Sequence, residues 1–141
     1  LGLAQAGMDD ALERCAMRHV RGEVLGKLPQ IEAKLADMSV KIRLMEAMLA
    51  KAANSISDSE TTDEQRLNCA LMKYCVPKAA TEVADSAIQI FGGAGYTDRS
   101  RVGRIWRDCR GNQIAQGTDE MMIHTVAKQL LKGHSFALTD I

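Results

Sequence analysis

The chain has 141 residues, enough for one domain with a single core. Its 18 basic and 18 acidic residues cancel, so no net field attracts nucleic acid or an anionic membrane surface. Hydrophobic residues make up 46% but aromatics only 4%, the aliphatic core of a helical bundle, and no apolar run reaches the length of a membrane span.

Taken in chain order, Gly2 to about Val20 reads as helix, because LAQAGMDDALERCAMRHV contains no strand alternation. Leu1 to Gln5 lacks a basic n-region and is not a signal peptide. A chain that opens in mid-helix without Met reads as a piece of a longer protein. Pro29 suits the first turn of a second helix, whose apolar stripe runs Ile31, Leu35, Met38, Ile42, Met45, Leu49, Ala52, Ile56. Ser55 to Ser59 breaks that pattern, and Thr61-x-x-Glu64 reads as a capping box opening a third helix. Its stripe passes through Leu67, Leu71, Tyr74, Val83, Ala87 and Ile90, with Pro77 expected to kink it.

Gly92-Gly93-Ala94-Gly95 ends the third helix, since glycine tolerates a left-handed terminal conformation. Residues 101–113 form a short helix, and Thr118 caps a last one through Met122, Val126 and Leu130, which Gly133 ends. Asp119 and Glu120 suit the positive end of its dipole. No strand, repeat or second domain is visible. The expected fold is all-α: an up-down antiparallel four-helix bundle with a short additional helix, one domain over residues 1–141.

The chemical signals are sparse. The glycine cluster fails the dinucleotide fingerprint because Asp98 replaces its third glycine and no strand precedes it. Bare amides there, or at Gln116-Gly117-Thr118, remain able to approach a phosphate-bearing ligand. Arg101, Arg104, Arg107 and Arg110 recur every three residues, the spacing of a solvated or ion-paired face, and Trp106 among them reads as a core or interface anchor. Cys15, Cys69, Cys75 and Cys109 form no C-x-x-C pair, and His19, His124 and His134 show no ligand spacing beside them, so reduced thiols and no metal site are expected.

Several stretches in this order resemble the C-terminal helical domain of the acyl-CoA dehydrogenase family: GLAQ at 2–5, R-x-x-R-G at 18–22, LADM at 35–38, AIQIFGGAGY at 87–96, RIWRD at 104–108 and GTDE at 117–120. The likeness spans nearly the whole chain, and its most specific pair is QIFGG with R-D…G-T-D-E. It implies a homodimer or homotetramer whose subunits add an N-terminal helical domain and a middle β domain. It also implies FAD as cofactor, an acyl-CoA thioester as substrate, an electron-transfer flavoprotein or similar acceptor, and a cytoplasmic or mitochondrial-matrix location.

Carried over residue by residue, the resemblance assigns Arg18 to the cofactor's diphosphate across a subunit boundary. Gln89, Ile90, Phe91, Gly92 and Gly93 fall on the segment contacting the neighbouring subunit's FAD, where a side chain on the glycines would hold the backbone away from the cofactor. Thr118, Asp119 and Glu120 fall on the FAD-contacting start of the last helix, and Gly117 beside the substrate thioester. Arg21 stands where the family usually has phenylalanine, and Val20 where it often has a hydroxyl. Gln116 occupies the position where many members carry the catalytic glutamate, and a primary amide is no base near neutral pH. The resemblance therefore implies no catalytic residue within the chain and a base upstream of Leu1, as in the isovaleryl-type branch; the alternative is a catalytically silent subunit with a structural or regulatory role.

Overall fold

The computed structural model describes residues 1–56 and 61–134. Helix α1 spans Gly2–Met17, α2 Pro29–Asn54, α3 Asp63–Phe91, α4 Gly93–Tyr96, α5 Val102–Gly111 and α6 Asp119–Leu131. Two short strands, β1 (His19–Val20) and β2 (Glu23–Val24), and a 3-10 turn at Leu25–Lys27 fill the connection between α1 and α2. The fold is all-α, as expected. Four long helices form the bundle, α5 is the short addition, and α4 is a single turn.

Named contacts fix the directions. Gln5 Nε2 on α1 reaches Glu46 Oε1 late on α2, so those two helices run antiparallel. Lys78 pairs with Asp119 and Lys132 with Asp63, which sets α6 antiparallel to α3. Gly7 lies beside Ala87 and Arg14 beside Phe91, so α1 runs parallel to α3. The order is up, down, up, down.

Small residues set how closely the helices approach. The inner stripe of α1 is Ala4, Gly7, Ala11 and Cys15, spaced three or four apart, and a Cβ on Gly7 would stand 3.7 Å from Ile105 and 3.8 Å from Ala87. Opposite it, α3 buries Ala80, Val83, Ala84, Ala87 and Ile90. From α2 come Met38, Ile42, Met45 and Ala52, the expected stripe, with Ile31, Leu35 and Leu49 half-buried along it. Ile56 departs from that stripe: it lies past the helix end and is 68% exposed. Pro29 opens α2 as expected, and α3 continues without interruption through Pro77.

Two local readings are corrected. The first helix stops at Met17, not Val20, and the next residues form an antiparallel two-stranded hairpin, where the sequence reading found no strand. Val20 pairs with Glu23 across a two-residue turn in which Arg21 (φ 52°) and Gly22 (φ 87°) are both left-handed, the geometry that suits a tight hairpin. The capping box of α3 lies one residue later than expected. Thr62, not Thr61, accepts from the Gln65 amide at 3.1 Å, and Gln65 Oε1 accepts from the Thr62 amide at 2.7 Å. Both frames satisfy the sequence pattern, but this one buries the neutral amide of Gln65 and leaves the Glu64 carboxylate in water, which costs less desolvation. The break read at Ser55 to Ser59 lies largely outside the described residues.

The arginine face is part ion-paired and part solvated, within what its spacing suggested, with Arg110 exposed. Arg101 binds Asp10 of α1 through two nitrogens, at 2.7 and 2.8 Å, and Arg104 and Arg107 lie 3.6 and 3.9 Å from Asp108 and Asp98. Trp106 packs half-buried on the core. The four cysteines are free thiols, and no group of metal ligands occurs among the described residues. No described helix is long and apolar enough to cross a membrane.

The glycines after α3 differ in what they demand. Gly92 closes α3 at φ 63° and ψ −141°, a region open essentially to glycine alone. A Cβ on Gly95 would stand 2.7 Å from the Ile88 carbonyl and 2.8 Å from Phe91 Cβ, whereas one on Gly93 would meet nothing within 4 Å. Gly95→Ala should therefore cost about 1–3 kcal/mol through overpacking, and Gly93→Ala less than about 0.5 kcal/mol. Thermal unfolding of the two variants checks this; equal losses would contradict it.

Candidate functional site

The loop between α5 and α6 is built from the end of one helix and the cap of the next. After Gly111 the chain makes a short turn, in which the Gln113 amide bonds the Arg110 carbonyl and the Ile114 and Ala115 amides bond that of Gly111. Gln116 (φ 54°) and Gly117 (φ 104°) then adopt two successive left-handed conformations. For a non-glycine residue such as Gln116 this costs about 1–2 kcal/mol. Thr118 follows in extended geometry and caps α6, its hydroxyl accepting from the Met121 amide at 3.4 Å. The Asp119 amide closes the loop onto the Gln113 carbonyl at 3.2 Å.

Helix α3 holds this loop at three levels. Lys73 Nζ donates to the Asn112 carbonyl (2.6 Å) and the Gly117 carbonyl (3.2 Å). Gln113 Nε2 donates to Thr81 Oγ1 at 2.8 Å, and Lys78 lies 3.5 Å from Asp119 while its ammonium sits 4.4 Å from the centre of the Tyr74 ring. Asp119 Oδ1 is buried without a hydrogen-bond partner among the described residues, an acceptor with capacity for a further donor.

Beside the loop lies a cleft of about 290 Å³. Leu1, Leu3, Val76, Pro77 and Ala80 line its apolar side, and Lys73, Asn112 and Gln116 its polar side. Cys109 also lines it, but burial pushes that thiol's pKa up, which disfavours a thiolate nucleophile. No carboxylate is among the described residues lining the cleft.

The residues assigned to the cofactor fall into two patches on one copy. Thr118, Asp119 and Glu120 stand at the start of α6, with Gln116 and Gly117 just before them, opposite Lys73–Lys78. Gln89, Ile90, Phe91, Gly92 and Gly93 lie at the other end of α3, roughly 16 Å further along at 1.5 Å rise per residue. Arg18 is exposed at the C-cap of α1, four residues past Arg14, whose guanidinium lies 5.5 Å from the centre of the Phe91 ring of this second patch. Gln89, Gly92 and Gly93 are exposed, while Ile90 is buried in the core. Lys73, Lys78 and Thr81, which hold the loop, were not singled out from sequence; the signal available was two lysines breaking an otherwise apolar stretch, LMKYCVPKAA.

A helical domain with a mostly apolar cleft, edged by a few polar groups and a helix-capping loop, is of the class that takes a small molecule against its surface. Residues 1–131 match the family described as acyl-CoA dehydrogenase, C-terminal domain. The chain is 40% identical over 133 residues to the probable acyl-CoA dehydrogenase YdiO of Escherichia coli strain K12, covering 94% of this chain and 34% of that protein. Among solved structures, the acyl-CoA dehydrogenase of Slackia heliotrinireducens is 45% identical with a TM-score of 0.81, over 91% of this chain and 33% of that one. The butyryl-CoA dehydrogenase of Megasphaera elsdenii is 33% identical with a TM-score of 0.86, over 93% of this chain and 33% of that one. The chain belongs to the acyl-CoA dehydrogenase family and has the fold of its C-terminal helical domain. It spans about a third of the length of the relatives it matches.

At the start of α6 the Glu120 carboxyl is held below the usual carboxylate range, first by its own backbone amide and then by the Thr118 hydroxyl. A lowered folded pKa means a stabilising contribution that is present above the unfolded value and lost as the pH falls through the folded one. In an NMR titration, the Glu120 carboxyl should ionise below the range of an unstructured glutamate, with the Met121 and Met122 amides following it. Glu120→Gln should abolish that transition; a midpoint at or above the ordinary glutamate value would contradict the capping geometry.

Proposed function

We propose that the chain is the C-terminal domain of an FAD-dependent acyl-CoA dehydrogenase, one domain over residues 1–141, whose catalytic base lies on a segment outside those residues. The observation that carries this reading is the cleft beside Gln116 and Gly117: apolar on one side, edged by the Asn112 and Gln116 amides and the Lys73 ammonium, and without a carboxylate among the described residues that line it. Such a cleft suits an acyl chain and its thioester, and Gln116 does not remove a proton from it.

The cofactor assignments fit the chemistry of the residues present. Asp119 Oδ1 is a buried acceptor without a donor among the described residues, and Gly93 faces open space that nothing within the chain requires. Arg18, Gln89, Phe91, Gly92 and Gly93 would hold FAD of a neighbouring copy, and Thr118, Asp119 and Glu120 that of their own; buried Ile90 supports this segment from the core side. FAD held there would supply a hydride acceptor for the substrate's β hydrogen. The chain's own residues shape the acyl cleft, set the loop beside the thioester through Gly117, and exclude water along Val76, Pro77 and Ala80.

Assembly through further copies, as a dimer or tetramer, is supported by α6. None of its residues is buried, and Met121, Ile123, Leu130 and Leu131 are each at least 44% exposed. An electron-transfer flavoprotein is the class of acceptor this reading implies. A second reading, a silent subunit, is favoured by one specific feature: Gln116 stands where a base is expected and no carboxylate among the described lining residues replaces it.

Substitution at Gln116 in the full-length protein separates the two. If the base lies elsewhere, Gln116→Ala should lower turnover only several-fold, the worth of a hydrogen bond of about 1 kcal/mol, against roughly two to four powers of ten for loss of a true base. Gln116→Glu should shift the pH–rate profile without a large gain, because a second carboxylate raises the pKa of one of the pair. Activity that appears only in Gln116→Glu would favour the silent subunit. Gly93→Ala should reduce the FAD retained by the purified protein, read from its visible absorbance, and full retention would sink that contact.

A further inference from the structure

The proposed function uses the loop beside the cleft but leaves unexplained the lysine that holds it. Lys73 is half-buried on α3, and its Nζ bonds one carbonyl at each end of the loop: Asn112 at 2.6 Å and Gly117 at 3.2 Å. The Asn112 carbonyl belongs to the C-cap of α5, where the helix leaves carbonyls without amide partners and its dipole favours a cation. The Gly117 carbonyl sits between the left-handed pair and the Thr118 cap, so its direction reports how the Gln116–Gly117 backbone is turned. Lys73, Asn112 and Gln116 all line the same cleft.

The other basic groups nearby are placed differently. Lys78 is taken up by Asp119 and the Tyr74 ring, and Arg110 is exposed on α5. The remaining ties, Gln113 to Thr81 and the Asp119 amide to Gln113, fix the loop at Gln113. Among the described residues, the Lys73 bond alone reaches the Gly117 carbonyl directly from α3.

We propose that Lys73 is a positioning residue for the dehydrogenation: its ammonium, bonded to both ends of the loop, sets the orientation of the Gln116–Gly117 backbone beside the cleft. The thioester next to Gly117 is thereby held in register with the base and the cofactor. The inference rests on the acyl-CoA dehydrogenase reading of this cleft. A lysine suits the task because one compact ammonium with three donors serves two carbonyls that a planar fork does not address together.

The test compares Lys73→Met and Lys73→Arg in the full-length protein. Lys73→Met keeps the side-chain length and removes the donor. Amide exchange across residues 112–118 should accelerate about tenfold or more, while the amides of Val83 and Ala84 stay protected. In the same variant kcat should fall roughly tenfold to a hundredfold with KM changed far less, because misplacement by about an ångström costs rate on that scale. Lys73→Arg, which keeps the charge, should recover part of both. Unchanged exchange at 112–118 in Lys73→Met overturns the proposal, as does accelerated exchange with unchanged kcat. A wild-type protein without dehydrogenase activity overturns the positioning role in catalysis together with the functional reading, and the exchange measurement then decides separately whether Lys73 orders the loop.

Discussion

Close approach of small side chains along α3 is the constraint on which the rest of the molecule depends. Ala84 and Ala87 on α3 and Ala4 and Ala11 on α1 have no exposed surface, and Gly7 sits within van der Waals reach of both Ala87 and Ile105. Alanine would fit at Gly7, where a Cβ meets Ile105 and Ala87 at ordinary contact distance, but a side chain larger than alanine at any of these points would press α1 away from its neighbours, because packed interiors accommodate added volume poorly. Helix α2 packs on another face of α3 with Met38, Ile42 and Met45, and the flexible thioethers of the two methionines fill what the alanines leave. The core is thus a set of helices indexed to one long helix.

That indexing carries through to the site. Lys73, Lys78 and Thr81 rise along α3 and meet the loop at Gly117, Asp119 and Gln113 in turn, so helix geometry sets the spacing of the loop's supports. The left-handed Gln116 costs about 1–2 kcal/mol, and a single charge-assisted hydrogen bond contributes about 1.5–3 kcal/mol. Bonds of that size from Lys73 offset the cost of the left-handed Gln116, alongside the Gln113–Thr81 bond and the Asp119 amide. The same helix presents Gln89 to Gly93 at its far end, so both patches assigned to the cofactor are referenced to one rigid element although they do not meet on one copy.

The sequence made the long helices legible because their signals are repeated many times. The α2 stripe recurs over about six turns, and Pro29 in the first turn of α2 and the Thr118 cap of α6 each have a plain physical cause. Features that rest on one or two residues were not legible. The His19–Val24 hairpin has strands too short to alternate, and its turn uses Arg21 where an asparagine would have signalled it. The Thr61 and Thr62 frames of the capping box differ only in which residue α3 buries. At the site, Gln116 was noticed because it breaks a resemblance, whereas Lys73 breaks nothing in the sequence. Its role exists only once the loop folds back across forty residues of chain to meet it.

The central claim is that a protein with an amide at position 116 still dehydrogenates an acyl-CoA thioester, using a base from outside residues 1–141. Anaerobic addition of acyl-CoA thioesters of graded chain length to the full-length protein, followed through the flavin's visible absorbance, tests this most directly. The account predicts that at least one thioester bleaches the flavin band in the wild-type protein. Saturable binding of FAD and acyl-CoA with an oxidised flavin that never bleaches would contradict it.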